Sequence, residues 1–356
     1  MKLLITGGAG FVGSSLAKLF KQNFPNYTIH VLDNLKRRGS EINLPEFKKL
    51  GIQFSHGDIR QFSDLEDLNS TYDLMIEASA EPSVQAGTNG ESPKYLLDTN
   101  LLGTLNCLEY ARKHTSGMIF LSTSRVYSIP AIKNLNYINK ETRLDVSSNQ
   151  TISGISEKGI SETFPTIGSG FRSLYGTTKL ASELFLEEYF HNYGFPSIIN
   201  RCGVIAGPGQ FGKTDQGVFT LWVARHLFKG KLSYTGFGGE GFQVRDILHP
   251  RDLFHLLVKQ IENKNSWTSE IFNVGGGVEG SVSLKEYTKI CSDITSSKIE
   301  ITSNLNTAAV DIPYYISDTS KVKERFSWQI ETKPEQIVRE ITEWIQKNKE
   351  QLKDIF

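Results

Sequence analysis

Along the first 127 residues the apolar pattern switches repeatedly between two periods. Short apolar runs at 3–5, 28–33, 52–54, 73–77 and 118–122 have the length and content of buried strands. Between them, 11–20 and roughly 94–113 carry helical spacing. Strands separated by helices predict βαβ units, a parallel sheet and right-handed crossovers. From 128 to 173 the pattern fades into a Ser-, Asn-, Thr- and Gly-rich stretch, too long for an ordinary connection. A strong helix at 174–193 and a strand at 197–201 follow. Beyond Gly207 the alternation stops, and helices at 218–229, 252–262, 283–295 and 334–350 with a strand near 232–234 read as a smaller α+β lobe. The expected division is 1–203, carrying the 128–173 insertion, and 204–356, with some chain of the second part crossing back to the first.

Charge changes this picture little. Thirty-nine basic residues balance thirty-nine acidic ones among 356, which argues against blanket nucleic-acid or membrane-surface binding. An apolar share of 38% and a charged share of 22% fit an ordinary globule. Three scattered cysteines and seven scattered histidines match no disulfide framework or metal-ligand spacing, so no metal is expected. No stretch reaches the ~18 apolar residues of a membrane span. The N-terminus runs straight into a glycine-rich turn with no room for a secretory leader. The expected setting is cytoplasmic.

The first specific chemistry lies in that turn. Gly7-Gly8-Ala9-Gly10-Phe11-Val12-Gly13 follows the first strand and opens the first helix, satisfying G-x-G-x-x-G from Gly8. Glycines permit the tight turn, the approach of a pyrophosphate and close helix–strand packing, and the helix N-terminus favours negative charge. Asp33 ends the next strand, 20 residues after Gly13, where a carboxylate binds ribose hydroxyls. The fold class is therefore α/β, a Rossmann-type doubly wound parallel sheet with a smaller C-terminal α+β substrate lobe. Asp33 repels a 2′-phosphate and points to NAD, although Lys36, Arg37 and Arg38 follow closely. Asp58 sits just past the third strand and either accepts from the adenine amino group or caps a helix.

Tyr175 and Lys179 form Tyr-x-x-x-Lys on the 174–193 helix, where i and i+4 share a face. A lysine ammonium there lowers the phenol pKa from its usual value of about 10 and makes a base suited to an alcohol losing hydride. Leu121-Ser122-Thr123-Ser124-Arg125 ends the fifth strand, and ligands of open α/β sheets sit at the carboxyl ends of strands.

With these motifs the chain resembles the extended short-chain dehydrogenase/reductase family, in its nucleotide-sugar epimerase and dehydratase branch, over nearly its whole length. The resemblance implies that Thr123, Tyr175 and Lys179 are catalytic. It implies cofactor contacts from Gly7, Gly10, Phe11, Val12, Gly13 and Asp33, completed by Asn34, Asp58, Ile59, Ala78, Ala80, Asn100, Tyr175 and Lys179. Gln243-Val244-Arg245-Asp246 matches the branch's substrate motif, whose arginine clamps a pyrophosphate; the alternative for Arg245 is a structural pairing with Asp246. Ser83, Ser124 and Arg125 are expected to line the sugar pocket. Phe211, Asp215 and Gln216 are candidates for holding the nucleotide, against a loop that packs on itself. Cys202 is a substrate-side candidate, against inert packing.

Dehydratases of the branch carry Asp and Glu immediately after the Thr123 position, where this chain has Ser124 and Arg125. Neither drives water loss, which favours epimerisation. The stretches 201–217 and 241–249, with the long insertion, resemble the CDP-paratose 2-epimerase subgroup. The implied substrate is a CDP-sugar, turned over at C2 by transient oxidation with bound NAD. A 4-epimerase or an NAD(P)-dependent ketoreductase is the alternative. A sensing protein without turnover has no need of Thr123, Tyr175 and Lys179. Apolar residues cover most of the 174–193 helix circumference, so a second apolar face is left either for a partner subunit or for the 128–173 segment. The resemblance implies a four-helix-bundle homodimer, or a homotetramer.

Overall fold

The computed structural model describes residues 1–88, 90–211 and 217–352. Its main sheet has seven strands. The first five are β1 (Lys2–Thr6), β2 (Thr28–Asp33), β3 (Gln53–His56), β4 (Leu74–Glu77) and β5 (Met118–Thr123). Their spatial order is β3-β2-β1-β4-β5, continued by the strands Ser197–Cys202 and Glu270–Val274. The pairings β1–β2, β2–β3, β1–β4 and β4–β5 are all parallel. The order reverses between β1 and β4, the switch point at which open α/β sheets bind ligands.

Strand residues alternate between faces. Leu4, Leu32, Met75, Phe120 and Ile199 form one core with Cys107, Leu108, Ala111 and Leu186 of the helices Thr104–His114 and Leu174–Tyr193. Elsewhere in this unit the helix Phe11–Asn23 meets the helix Pro250–Glu262 through Phe20 and Phe254, edge to face at 4.9 Å. The strand Glu270–Val274 is not among the strands that the sequence pattern predicts. Its first two residues are half-buried and polarity is mixed, so its local pattern is weak; its place beside Ser197–Cys202 comes from tertiary pairing.

The chain separates into two compact units, one of residues 1–126, 173–201 and 253–272, the other of 127–172, 202–252 and 273–356. This differs from the expected 1–203 and 204–356 division in where the 128–173 insertion falls. Residues 253–272 return to the first unit as a helix and a sheet strand. The 128–173 insertion belongs to the second unit and is structured. It holds the helix Ile129–Lys133 and two small hairpins, Tyr137–Asn139 with Leu144–Val146 and Ile155–Ser156 with Gly159–Ile160. Tyr137, Leu144, Val146 and Ile155 pack on buried Val244, Tyr314 and Ile316, and the Ile160 N–H donates to Ile316 O at 2.7 Å. Those apolar partners lie more than 80 positions away, beyond the reach of local periodicity.

The second unit's own sheet runs Val204–Ile205, Val244–Leu248, Ser281–Ser283, with Tyr314–Tyr315 also paired to the central strand. Its core gathers Phe219, Trp222, Tyr287, Ile337 and Ile341.

The predicted 94–113 helix is three pieces: Lys94–Leu97, a π-helical turn at Asp98–Gly103, and Thr104–His114. Within the wide turn Asn100 O accepts the hydroxyls of Thr104 at 3.0 Å and Ser182 at 3.2 Å. Side-chain donors thus take up carbonyl capacity that a regular helix would use.

Candidate active site

The glycine turn is built around contacts that exclude side chains. Gly7 has φ +62°, and a Cβ there would lie 2.6 Å from the Ser79 Cα. A Cβ on Gly13 would lie 2.3 Å from Gly7 O, so the helix can start this close to β1 only with glycine at that point. Gly10 differs: a Cβ would touch only Gly7 O, at 3.2 Å, and otherwise project into open space. The N–H groups of Phe11, Val12 and Gly13 precede the first helical bond, from Ser14 N to Gly10 O at 2.9 Å. An open space beside a helix N-terminus is suited to a phosphate. Ala78 and Ala80 follow β4 and are half-buried; Ala78 N–H donates to Thr6 O, which joins this loop to the glycine turn.

Asp33 accepts the N–H of Ala9 at 3.0 Å and of Leu35 at 2.8 Å. Burial pushes its carboxyl up, while these N–H groups and that of Gly10 pull it back. Asp58 is held more tightly. Arg60 donates to it from its backbone and guanidinium, and Asn34 Nδ2 lies 2.9 Å from Oδ2. Burial raises the Asp58 carboxyl, but Arg60 and Asn34 outweigh it and bring the pKa to about 2. It is not a helix cap; Gln61 precedes the nearest helix, Phe62–Glu66. Ile59 is buried against Gly103, where a Cβ would meet its side chain at 2.6 Å. The Asn100 carboxamide is engaged twice with the Glu81 backbone, accepting at 2.7 Å and donating at 2.9 Å. These two bonds clasp the loop after β4.

Tyr175 lies in the first turn of the helix Leu174–Tyr193, capped by Ser173, whose Oγ accepts the Gly176 N–H at 3.1 Å. The helix packs on β5 and on the short turn Ser124–Val126. Tyr175 is half-buried, Lys179 is 1% exposed and Thr123 is buried at the end of β5. Thr123 Oγ1 accepts the Arg125 N–H at 3.2 Å. Lys179 Nζ stands 4.4 Å from the Phe120 ring centroid and 3.5 Å from Glu77 Oε2.

Two carboxylates here escaped the sequence reading. Glu77 ends β4, is wholly buried and accepts the Ser79 N–H at 3.0 Å. Burial pushes its carboxyl up, against the pull of Lys179 and Ser79. Glu183, eight residues after Tyr175 on the same helix, binds Ser122 and the Arg201 guanidinium, at 2.7 Å for the shortest Arg201 contact. The available signals were a charge closing the apolar run Leu74-Met75-Ile76 and the extension of Tyr-x-x-x-Lys by one more i+4 step.

Ser83 is buried, with its hydroxyl accepting the Gln85 N–H at 3.2 Å. Ser124 is buried and Arg125 half-buried.

In the second unit, Arg245 bonds Asp311 at 3.0 Å and Ile312 O at 2.6 Å. Asp246 is turned elsewhere, accepting the N–H of Ser317 at 3.0 Å and of Gly277 at 3.2 Å. The Arg245–Asp246 pairing is thus replaced by Arg245–Asp311, because neighbours on a strand face opposite ways. Gln243 donates to Thr235 O at 3.3 Å, and its Oε1 is buried without a hydrogen-bond partner among the described residues. Cys202 is buried and forms no disulfide among the described residues. The Phe211 ring meets Trp344 edge-on at 5.9 Å and packs on the apolar core. Asp215 and Gln216 lie outside the described residues.

Comparison with known proteins agrees with this arrangement. The chain is 30% identical to the CDP-paratose 2-epimerase of Salmonella typhi over 97% of its own length and 99% of that protein. It is 26% identical to a dTDP-glucose 4,6-dehydratase of Escherichia coli, covering 98% and 95% of the two chains. In fold it matches the UDP-glucuronic acid 4-epimerase of Bacillus cereus, solved with UDP-glucuronic acid and NAD, at a TM-score of 0.79, 22% identity and 98% and 99% coverage. The NAD dependent epimerase/dehydratase family matches residues 3–275. The open space at Gly10, the free helix N-terminus and Asp33 suit the NAD after which that family is named. The chain belongs to the NAD dependent epimerase/dehydratase family.

Proposed function

We propose that this protein inverts C2 of a nucleotide-diphosphate sugar, with CDP-paratose giving CDP-tyvelose. The observation that carries this reading is the pair of positions after β5, one buried and one half-buried. Thr123 is followed by Ser124 and Arg125, so the acid pair that drives dehydration has no counterpart there. Whole-length similarity to a CDP-paratose 2-epimerase supports the choice of C2 and of a CDP-sugar.

NAD held at the glycine turn supplies the transient hydride store. Tyr175, with Lys179 beside it on the helix face, takes the proton of the sugar hydroxyl, and Thr123 hydrogen-bonds the same oxygen. The 2-keto sugar turns over while its diphosphate stays anchored, with Arg245 the cationic candidate for that anchor. Tyr175 then returns the proton.

The test is to incubate the enzyme with CDP-, UDP-, GDP- and dTDP-sugars and follow the sugar protons by NMR. Inversion at C2 with retention of the C2 hydrogen is expected, with no build-up of NADH. Inversion at C4 would replace this reading with a 4-epimerase, and steady NADH production with a dehydrogenase.

A further inference from the structure

Lys179 poses a problem of charge. Its ammonium is almost completely withdrawn from water, and a buried cation persists only where something compensates it; otherwise it gives up its proton. The Phe120 ring face, 4.4 Å away, offers weak compensation. The nearby acids divide sharply. Glu183, one turn along the helix, is already bound by Arg201 and Ser122. Cys107, on the helix Thr104–His114, is wholly buried, and its thiol is pushed up by burial and by the Glu77 charge, so it stays neutral. Glu77 remains. Its Oε1 takes the Ser79 N–H, and its Oε2 has no hydrogen-bond partner among the described residues and stands 3.5 Å from Lys179 Nζ. An acid that closes an otherwise apolar strand, at no exposure, is costly to keep without such a use.

We infer that Glu77 is a positioning residue: it holds Lys179 as an ammonium beneath Tyr175, and through that charge sets the proton affinity of the Tyr175 phenol. The inference rests on Tyr175 and Lys179 acting as the base pair described above. Glu77 reaches no reacting atom itself. The pair is also sealed from solvent, so a proton taken by Tyr175 has no route of loss through Lys179 before it is returned.

The direction of the effect follows. With Glu77 made neutral, Lys179 loses the charge that holds its ammonium in this desolvated place, and the phenol loses the cation that favours its ionised form. Tyr175 then ionises closer to the ordinary phenol value of about 10.

The experiment is a titration of Tyr175 by NMR of the intact protein with ¹³Cζ-labelled tyrosine, the signal being assigned with Tyr175→Phe, in the wild type, Glu77→Gln and Glu77→Asp. Glu77→Gln should raise the Tyr175 midpoint by at least one pH unit, and Glu77→Asp, which keeps the charge but withdraws it from Lys179, should raise it measurably but by less than half of that shift. An unchanged or lowered midpoint in folded Glu77→Gln overturns the inference. If Glu77→Gln does not fold, Glu77→Asp decides alone: the withdrawn charge should still raise the midpoint measurably, and an unmoved value overturns it. The titration needs no turnover. A shifted midpoint with no inversion of any nucleotide sugar would sink the proposed reaction and leave this inference standing.

Discussion

The Asp33 carboxylate, at the end of β2, accepts the Ala9 N–H of the glycine turn at 3.0 Å. The acid that the sequence assigns to the cofactor ribose is therefore also a brace for the turn that assigns the pyrophosphate. Asp33→Ala should weaken NAD binding about 10- to 100-fold, the loss of about 1.5–3 kcal/mol given for hydrogen bonds to a charged group. The preference for NAD over NADP should shrink with it. Calorimetric titration of both cofactors checks this; an unchanged preference would remove Asp33 from the discrimination.

The glycines of the turn should separate by role. Gly13→Ala places a methyl 2.3 Å from Gly7 O, against backbone that has little room to yield. It should cost about 1–3 kcal/mol of stability, as overpacking does. Gly10→Ala meets one atom at 3.2 Å and should fold with almost unchanged stability while losing NAD affinity, because its methyl enters the open space beside the helix N-terminus. Thermal melts with and without NAD distinguish the two. Equal destabilisation of both apoproteins would contradict the assignment.

Tyr175→Phe should abolish sugar turnover and leave NAD binding intact, since the role proposed for the phenol oxygen is to accept the proton. Thr123→Ala should slow turnover by roughly 10²-fold, within the usual range for groups that assist proton transfer. Survival of turnover in Tyr175→Phe would refute the proton-transfer assignment.

Asp58 makes stability depend on pH in a defined window. Its folded pKa of about 2 lies below the ordinary 3.8, because the pull of Arg60 and Asn34 exceeds the opposing effect of burial. The stabilisation is therefore fully present above about pH 4 and is lost as pH falls through the folded value. The gap in thermal midpoint between wild type and Asp58→Asn should be constant from pH 7 to about 4.5 and narrow below that. A gap that widens on acidification would show the wrong sign.

The outer side of the helix Leu174–Tyr193 should be an assembly surface. Its inner side buries Thr178, Ser182, Glu183 and Leu186, whereas Leu184 and Phe185 are 44% and 42% exposed. Leu102, in the π-helical turn, is 51% exposed. Exposed apolar side chains on two helices favour a homodimer through this face. Phe185→Glu with Leu102→Glu should reduce the mass seen by light scattering to about 40 kDa while the fold survives. A wild type that is already monomeric at working concentration would end this expectation.

Much of the molecule is determined by local sequence. Strand periodicity, the glycine spacing and the i, i+4 placement of Tyr175 and Lys179 each depend on residues a few positions apart, which is the range over which backbone geometry acts. They specify β1 to β5, the cofactor turn and the catalytic helix, and Asp33 follows from the length of one βαβ step.

What only the tertiary structure decided depends on distant partners. The 128–173 segment has no periodicity because its short hairpins take their stability from Val244, Tyr314 and Ile316. The strand Glu270–Val274 acquires its identity from the free edge of Ser197–Cys202. Arg245 pairs with Asp311, 66 positions away, and not with its neighbour Asp246. Glu77 is the clearest case. In the chain it is one more acid after an apolar run; only folding brings it within 3.5 Å of Lys179, 102 positions later, and removes both from water. Local pattern records which way a side chain faces, whereas burial and charge pairing are properties of what it faces, and those exist only once the chain has closed.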